Sequence, residues 1–424
     1  MKAQPATFGA QPYRHPRVLT EARPARVLHV VADLTGGGME WSLLRLLGGL
    51  SRQSHRKGLK TWGLHGVCVL RDGEERMLDQ CRGLASTWVL GSQNLGDETG
   101  RRALWARLAK IIDLFGAEVV HARATGTWFD AAAALPRGRG PKLILSFHGF
   151  TDLAPLSWRR RFSRVWATRR AHALLTVSRD SARMLHHSWG VPARKIHTIS
   201  NGVDTDLFRP FKDTAERAAI RDRLGRSGHG PVVICLANLV KIKRIDALLS
   251  IWPTIVAAHP AAHLVLVGEG PLRSELTGLA RRLGCTASVS FLGTRHDVHE
   301  LLRAGDLLVL PSRYEASSNA VLEGMATGLP IVAFNVGGLG EQVIPGETGW
   351  LISPDSPGDM ATAIIEALSD ARTCEQYGRA ARRAAVDHHG LRAWLDRYES
   401  LYTDLAAGRS LIAIRGEEAP SCAG

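Results

Sequence analysis

None of the six cysteines (68, 81, 235, 285, 374 and 422) belongs to a Cys-x-x-Cys pair. That spacing argues against a zinc ribbon or a disulfide framework and leads us to expect a reducing compartment. No apolar run approaches the ~20 residues that cross a bilayer. The first 23 residues are rich in Pro, Gln and Arg and hold no apolar h-region, so no secretory signal is expected. There is no low-complexity tract and no short-period repeat. Aromatic residues are only 6% of the chain, but hydrophobic residues reach 45% and charged residues 22%, which excludes global disorder. The 424 residues suggest two or three domains at about 150 residues each.

What is present in excess is positive charge, and it is unevenly placed. Residues 1–205 carry 31 Lys and Arg against 15 Asp and Glu, whereas residues 206–424 carry 23 against 25. The first half should therefore meet something anionic: a membrane surface, a nucleic acid or an acidic substrate.

Two α/β units follow one another. The first opens with an apolar, β-branched run over 26–32, the pattern of a buried parallel strand. A Gly-rich turn and a helix-like stretch, 39–50, come next. Further strands are predicted at 66–70, 87–90, 118–121, 142–147, 173–177 and 196–199, with amphipathic stretches such as 98–115 and 157–172 between them. The polar region 204–230 reads as a connection. The alternation then restarts, with strands at 231–237, 263–268, 288–292, 306–310 and 329–334 and helices at 244–258, 271–283, 296–304 and 317–327. Strands alternating with helices imply parallel, doubly wound sheets. Two Rossmann-like halves imply a cleft, with ligands outside the carboxyl ends of the strands. The expected organisation is a disordered tail over 1–24, an N-terminal Rossmann-like domain over 25–203 and a linker over 204–230. A C-terminal Rossmann-like domain over 231–390, a final helix over 391–409 and a disordered tail over 410–424 complete it.

Several segments at predicted strand ends can carry chemistry. The loop Gly36-Gly37-Gly38 lies between a strand and a helix, where backbone can approach an anion; a simple tight turn is the other reading. His148-Gly149 ends the strand 142–147, and His148 could bond a sugar hydroxyl or have no role. Lys241 and Lys243 follow the strand 231–237, and cations there suit a diphosphate or simply solvate a helix start. Glu269-Gly270-Pro271 closes the next strand as a tight turn. The most informative segment is 311–323. Glu315 lies in a turn after an apolar strand, Ser317, Ser318 and Asn319 fit a helix start whose amides can hold phosphate, and Glu323 shares a helix face with Asn319. A carboxylate there can accept two hydroxyl hydrogen bonds, although a surface helix position would have the same spacing.

Taken together, Gly37-Gly38-Met39-Glu40, His148-Gly149, Ser178, Asn201-Gly202-Val203, Lys243, Gly268-Glu269-Gly270-Pro271, Phe291-Leu292-Gly293, the pair Glu315 and Glu323, and Gly337-Gly338 with Glu341 resemble the family 4 glycosyltransferases. These are retaining enzymes of GT-B fold, with two Rossmann-like domains facing across a cleft. The resemblance spans about residues 26–407 and is most specific in the C-terminal half. It implies that Lys243 contacts the donor diphosphate, Glu323 holds the ribose and Glu315 touches donor-sugar hydroxyls. It further implies that residues 316–319 offer amides to the phosphates, that Gly37 and Gly38 approach them from the other domain, and that His148 lies near the transferred sugar. Asn238, Glu269, Gly270 and Leu292 join the implied donor site. The catalytic set is then His148, Lys243 and Glu315. The resemblance makes 25–203 the acceptor domain and 231–390 the nucleotide-sugar-binding domain, and implies that the last helix crosses back onto the N-terminal domain. Asn238 departs from the family, which usually has Arg there. A neutral amide cannot replace a guanidinium fork, and Lys241 is the nearest substitute.

The implied reaction moves a sugar from a UDP- or GDP-linked donor to a hydroxyl acceptor with retention, by a front-face route. No cofactor and no metal are expected, because Lys243 and helix amides supply the positive charge. Asp204-Thr-Asp206 spells a metal motif of another transferase fold but sits after Asn201-Gly202-Val203, so a structural role is expected. The segment 158–170 combines six Arg with three aromatics. Trp158, Phe162, Val165 and Trp166 share one helix stripe, with Arg159, Arg160 and Arg161 beside it. Such a helix can lie on an anionic membrane surface, or pack on the sheet. The expected partners are a nucleotide sugar, a glycan or lipid-linked acceptor and an anionic membrane, and not nucleic acid. The expected location is cytoplasmic, peripheral on the plasma membrane. The other readings are a nucleotide-sugar hydrolase or epimerase, a catalytically weak regulatory relative and, last, a basic nucleic-acid-binding protein. No helix-turn-helix, finger or RNP pattern supports the last of these.

Overall fold

The structure is a computed structural model of the chain and describes residues 23–409 apart from 57–62, 92–97, 137, 139, 151–156 and 226–229. The expected tails lie outside the described residues except for Arg23 and Pro24, as do the side chains of Arg159 and Arg160.

The N-terminal half is built on a seven-stranded sheet whose paired strands run parallel. The strands are β1 (Val27–Val31), β2 (His65–Val69), β3 (Ser86–Val89), β4 (Val119–Arg123), β5 (Lys142–Phe147), β6 (Ala173–Thr176) and β7 (Ile196–Thr198), in the order β3-β2-β1-β4-β5-β6-β7. Val27, Leu28, Val30 and Val31 are all fully buried, because helices cover both faces of the sheet. On one side, α3 (Glu98–Phe115), α4 (Trp128–Ala134) and α5 (Trp158–Arg170) cover Leu28, Val30 and Val120 with Leu104, Leu108, Trp128 and Ala167. On the other lie α1 (Gly38–Arg56), α2 (Glu75–Arg82) and the last helix of the chain.

The C-terminal half repeats the plan with six parallel strands. They are β8 (Val232–Leu236), β9 (His263–Val267), β10 (Val289–Phe291), β11 (Leu307–Leu310), β12 (Ile331–Phe334) and β13 (Gly349–Ile352), in the order β10-β9-β8-β11-β12-β13. Helices α8 (Ile245–Ala258), α9 (Arg273–Arg282) and α12 (Pro357–Ser369) pack on one face, and α10 (Val298–Ala304), α11 (Asn319–Thr327) and α13 (Ala371–His389) on the other. Strand order turns between β1 and β4 in one sheet and between β8 and β11 in the other. The loops after those four strands flank the topological switch points, where ligands of such sheets bind.

Within the polar stretch 204–230, residues Thr214–Arg223 form the helix α7, which composition did not announce. Its buried apolar content is Ile220 alone. Asp213 caps it by accepting from Glu216 N (2.8 Å), and Arg217 and Arg221 both reach Asp306 (2.5 and 2.6 Å). Charge pairing rather than a broad apolar face fastens this helix. Asp204 Oδ1 accepts from the amides of Asp206 and Leu207, so it closes a turn.

The chain crosses between the halves twice. Val203 N donates to His389 O (2.8 Å), which ties the two crossings together. The last helix, α14 (Leu391–Ala406), then lies on the first sheet. Trp394, Leu395, Tyr398, Leu401 and Tyr402 pack on Val27, Leu46, Val119, Ile144 and Leu175. Gly202 is required at this point, since a Cβ would stand 2.5 Å from Trp394 Cβ. Under α14 lies a polar layer of the buried His29, His121 and Arg123 with the half-buried His65. His121 Nδ1 bonds Tyr402 Oη (2.9 Å), and His29 Nε2 bonds His65 Nδ1 (3.2 Å).

Candidate active site

The loop after β8 continues through Asn238 into a 3₁₀ turn, Lys241–Lys243. Arg244 then takes a left-handed conformation (φ 52°) and starts α8. This sharp reversal sets Lys243 facing the loop after β11. Lys243 Nζ meets Glu315 Oε1 at 2.5 Å, and Ser312 Oγ donates to the same oxygen (2.7 Å). The structure thus joins Lys243 and Glu315 in one ion pair. The cause is the backbone bond from Arg313 N to Ile242 O (2.8 Å), which zips the two loops together.

Helix α11 starts where the sequence places it. Ser318 is its N-cap, with Oγ accepting from Val321 N (3.3 Å). The Ser318 amide is already committed to Gln342 Oε1 (2.8 Å), and Gln342 Nε2 donates back to Ser318 O (3.1 Å). That amide is therefore not available to a phosphate. Ser317 Oγ and Asn319 Oδ1 are buried and have no hydrogen-bond partner. One helical turn on, Glu323 is buried. Burial pushes its carboxyl up, opposed by the guanidinium of Arg45 (2.5 Å), which arrives from α1 of the other half.

The loops of the N-terminal half reach the same place. Asn319 Nδ2 donates to Gly38 O (3.0 Å), which brings the glycine loop onto the start of α11. Gly149 stands against Ala316, and the Phe150 ring lies 5.3 Å from the Tyr314 ring. Glu341 accepts from the amides of Arg179 (2.9 Å) and Asp180 (2.8 Å), a carboxylate set on the N-terminus of α6 (Arg179–His187). Gly338 donates its amide to Glu315 O (2.8 Å), and a Cβ there would overlap Ala316 O. This explains the glycine pair 337–338: it lets the loop carrying Glu315 rest on bare backbone.

His148, just past β5, shares a 2.8 Å hydrogen bond with Ser146 Oγ. Burial and then the nearby Arg123 push its pKa down to about 3. It is a neutral imidazole, suited to hydrogen bonding with a hydroxyl and not to donating a proton.

The remaining predicted donor residues form an outer rim. Asn238 is exposed at the end of β8, and Lys241 is exposed in the following turn. Gly270 backs onto Leu239, Glu269 pairs with Arg273, and Arg273 also donates to Phe291 O (3.1 Å). Leu292 follows β10, half-buried. The Glu269 carboxylate is thus already engaged by a cation.

Residues 216–384 match the model of the glycosyl transferases group 1, and residues 36–207 match that of glycosyltransferase family 4. A GDP-mannose-dependent alpha-(1-6)-phosphatidylinositol monomannoside mannosyltransferase of Mycolicibacterium smegmatis is 32% identical over 282 residues, 62% of this chain and 72% of that protein. The chain belongs to the family 4 glycosyltransferases. Its GT-B fold is shared with Alr3699/HepE of Anabaena, solved with UDP and glucose, at TM-score 0.76 and 21% identity over 89% of this chain and 99% of that one. It is shared also with WaaG, a glycosyltransferase involved in lipopolysaccharide biosynthesis, at TM-score 0.70 and 17% identity over 89% and 99%.

In this glycosyltransferase the sequence reading missed Arg45, Gln342 and Tyr314. No local pattern marks them: each acts across a loop or across the cleft. The α5 prediction needs one change. Trp158 and Phe162 are exposed (73% and 67%), and Val165 is exposed beside them. Trp166 instead turns inward onto the Phe129 ring (5.3 Å), next to the buried Ala167. It therefore leaves the predicted outward face, because the helix needs one large side chain to seat it on α4. Arg161 is exposed, while Arg164 lies over the Trp189 ring (4.9 Å).

Proposed function

We propose that this glycosyltransferase moves a hexosyl group from a UDP- or GDP-linked donor to a hydroxyl of a lipid-linked or cell-surface glycan precursor, with retention of configuration. The observation that carries the reading is the convergence of Lys243, Glu315, Ser317, Asn319 and Glu323 at the switch point of the second sheet, faced by Gly38 and Gly149 of the first. Lys243 supplies charge to the departing diphosphate, Glu323 accepts ribose hydroxyls, and Glu315 accepts hydroxyls of the donor sugar. His148, neutral, orients the transferred sugar. The bond from the anomeric carbon to the phosphate oxygen breaks. The acceptor oxygen bonds the same face of that carbon, and its proton passes to the leaving diphosphate. Lys243 and backbone amides provide the positive charge, so transfer should continue in the presence of a chelator.

The related mannosyltransferase acts on a phosphatidylinositol mannoside, and WaaG serves lipopolysaccharide biosynthesis. Both support an acceptor carried on lipid. The exposed Trp158, Phe162 and Arg161 on α5 support a peripheral contact with an anionic membrane, and no helix among the described residues is long and apolar enough to cross one.

Calorimetric binding of UDP, GDP and ADP, with Glu323→Ala as control, tests the donor site. One nucleotide should bind well and lose its binding in the variant. Failure of all three at millimolar concentration would overturn the reading. Product anomeric configuration, read by NMR, tests retention.

A further inference from the structure

We propose that Arg45 is a positioning residue for the donor site: from the N-terminal domain it holds the Glu323 carboxylate in place and ionised, so that ribose hydroxyls find an acceptor. This rests on the reading of Glu323 as the ribose carboxylate.

Arg45 lies in the second turn of α1. Its Nη2 donates to Glu323 Oε1 (2.5 Å) and its Nη1 to Gly202 O (2.7 Å). One planar fork thus links α1, the first domain crossing and α11. Gly202 is itself fixed against Trp394 of α14. The position of Glu323 relative to the first domain is therefore set through a rigid chain of contacts. A lysine could supply the charge but not both directed bonds.

The Arg45–Glu323 pair is also largely buried. The two side chains are 14% and 12% exposed. A carboxylate so placed favours its protonated form unless a cation stands beside it. Burial raises the Glu323 carboxyl, and Arg45 is the group that opposes it. An ionised carboxylate offers about four lone-pair sites. Arg45 occupies one on Oε1 and leaves Oε2 to a diol. A protonated Glu323 would keep one acceptor oxygen and lose the charge-assisted strength of the bond. A residue of the N-terminal domain would then govern nucleotide affinity through Glu323.

The opposite role is also testable. If the ion pair blocked Glu323 and had to open for the nucleotide, removing Arg45 would tighten binding.

The experiment measures the affinity of whichever of UDP and GDP the wild type binds, by calorimetry at pH 6 and pH 8, in full-length protein. The variants are Arg45→Met, Arg45→Lys, Glu323→Gln and the double variant Arg45→Met/Glu323→Gln. Each affinity is divided by that of the wild type at the same pH, which cancels the titration of the nucleotide's own phosphate. Arg45→Met should bind about tenfold or more weaker at pH 6 and recover part of the loss at pH 8. Arg45→Lys should lose less and show no such pH trend, and it serves as the folded reference should Arg45→Met unfold. The double variant should bind no more weakly than Glu323→Gln alone. Unchanged or tighter binding in Arg45→Met, an equal loss at both pH values, or an additive double variant would overturn the proposal. Wild-type affinity in Glu323→Gln would instead remove the ribose reading on which it rests.

Discussion

Lys243 and Glu315 form an ion pair at 2.5 Å, with side chains 24% and 9% exposed, although 72 residues separate them in the chain. Two groups proposed to contact the donor are thus partners of each other. Lys243→Ala should therefore act twice. It should weaken UDP or GDP binding by about tenfold or more, through loss of a charge-assisted bond to phosphate. It should also lower stability by about 2–3 kcal/mol, because Glu315 is left buried beside Ser312 without its cation. Adding Glu315→Gln should restore stability and not transfer. Denaturant unfolding and sugar-transfer assays on the single and double variants check both halves.

Gly338→Ala should damage the site without removing a functional group. Its Cβ would overlap Ala316 O and stand 2.8 Å from Ser178 Cβ. The loop carrying Glu315 must move or the domains must part. A stability loss of about 1–3 kcal/mol with a larger fall in nucleotide affinity is expected. Gly358→Ala, where the new Cβ meets open space, is the matched control.

Stability should fall as pH drops below about 6.5. His65, His148 and His389 are held neutral by burial, with pKa values lowered from the ordinary 6.5 to about 4, 3 and 4. A base whose folded pKa is depressed takes up its proton on unfolding. The unfolded chain then binds more protons between that pKa and 6.5, and stability rises with pH across this window. By pH 5.5 each such histidine should cost about 1.4 kcal/mol. Urea unfolding at pH 7.5 and 5.5 measures the slope, and His65→Gln should flatten it.

Helix α5 predicts a membrane phenotype that is separable from donor binding. Trp158→Ala with Phe162→Ala removes two exposed rings. Flotation with phosphatidylcholine vesicles containing phosphatidylglycerol should show wild-type binding at low salt and a clear loss in the double variant. UDP or GDP affinity should stay unchanged. Wild-type flotation in the variant would assign the helix face elsewhere.

Much of this protein can be read along the chain. The runs 27–31, 142–147 and 307–310 are short, apolar and β-branched or leucine-rich, and strands buried on both faces permit little else. Local turn chemistry likewise marks the start of α11, since Ser318 caps within three residues of itself. Helix α7 was not legible, because it is held by Arg217 and Arg221 on Asp306, more than 80 residues away. Nor was the split face of α5, where only contact with Phe129 decides that Trp166 turns in while Phe162 turns out.

The sequence by itself determined the two-sheet architecture, the family and the set of polar residues at the strand ends, since periodicity and turn residues act within a few positions of themselves. The tertiary structure alone decided their partners: Lys243 with Glu315, Ser318 with Gln342, and Arg45 with Glu323. Those pairings depend on how loops from distant strands meet at the switch points and on how two domains close over one carboxylate, and such distances are not encoded in any local spacing.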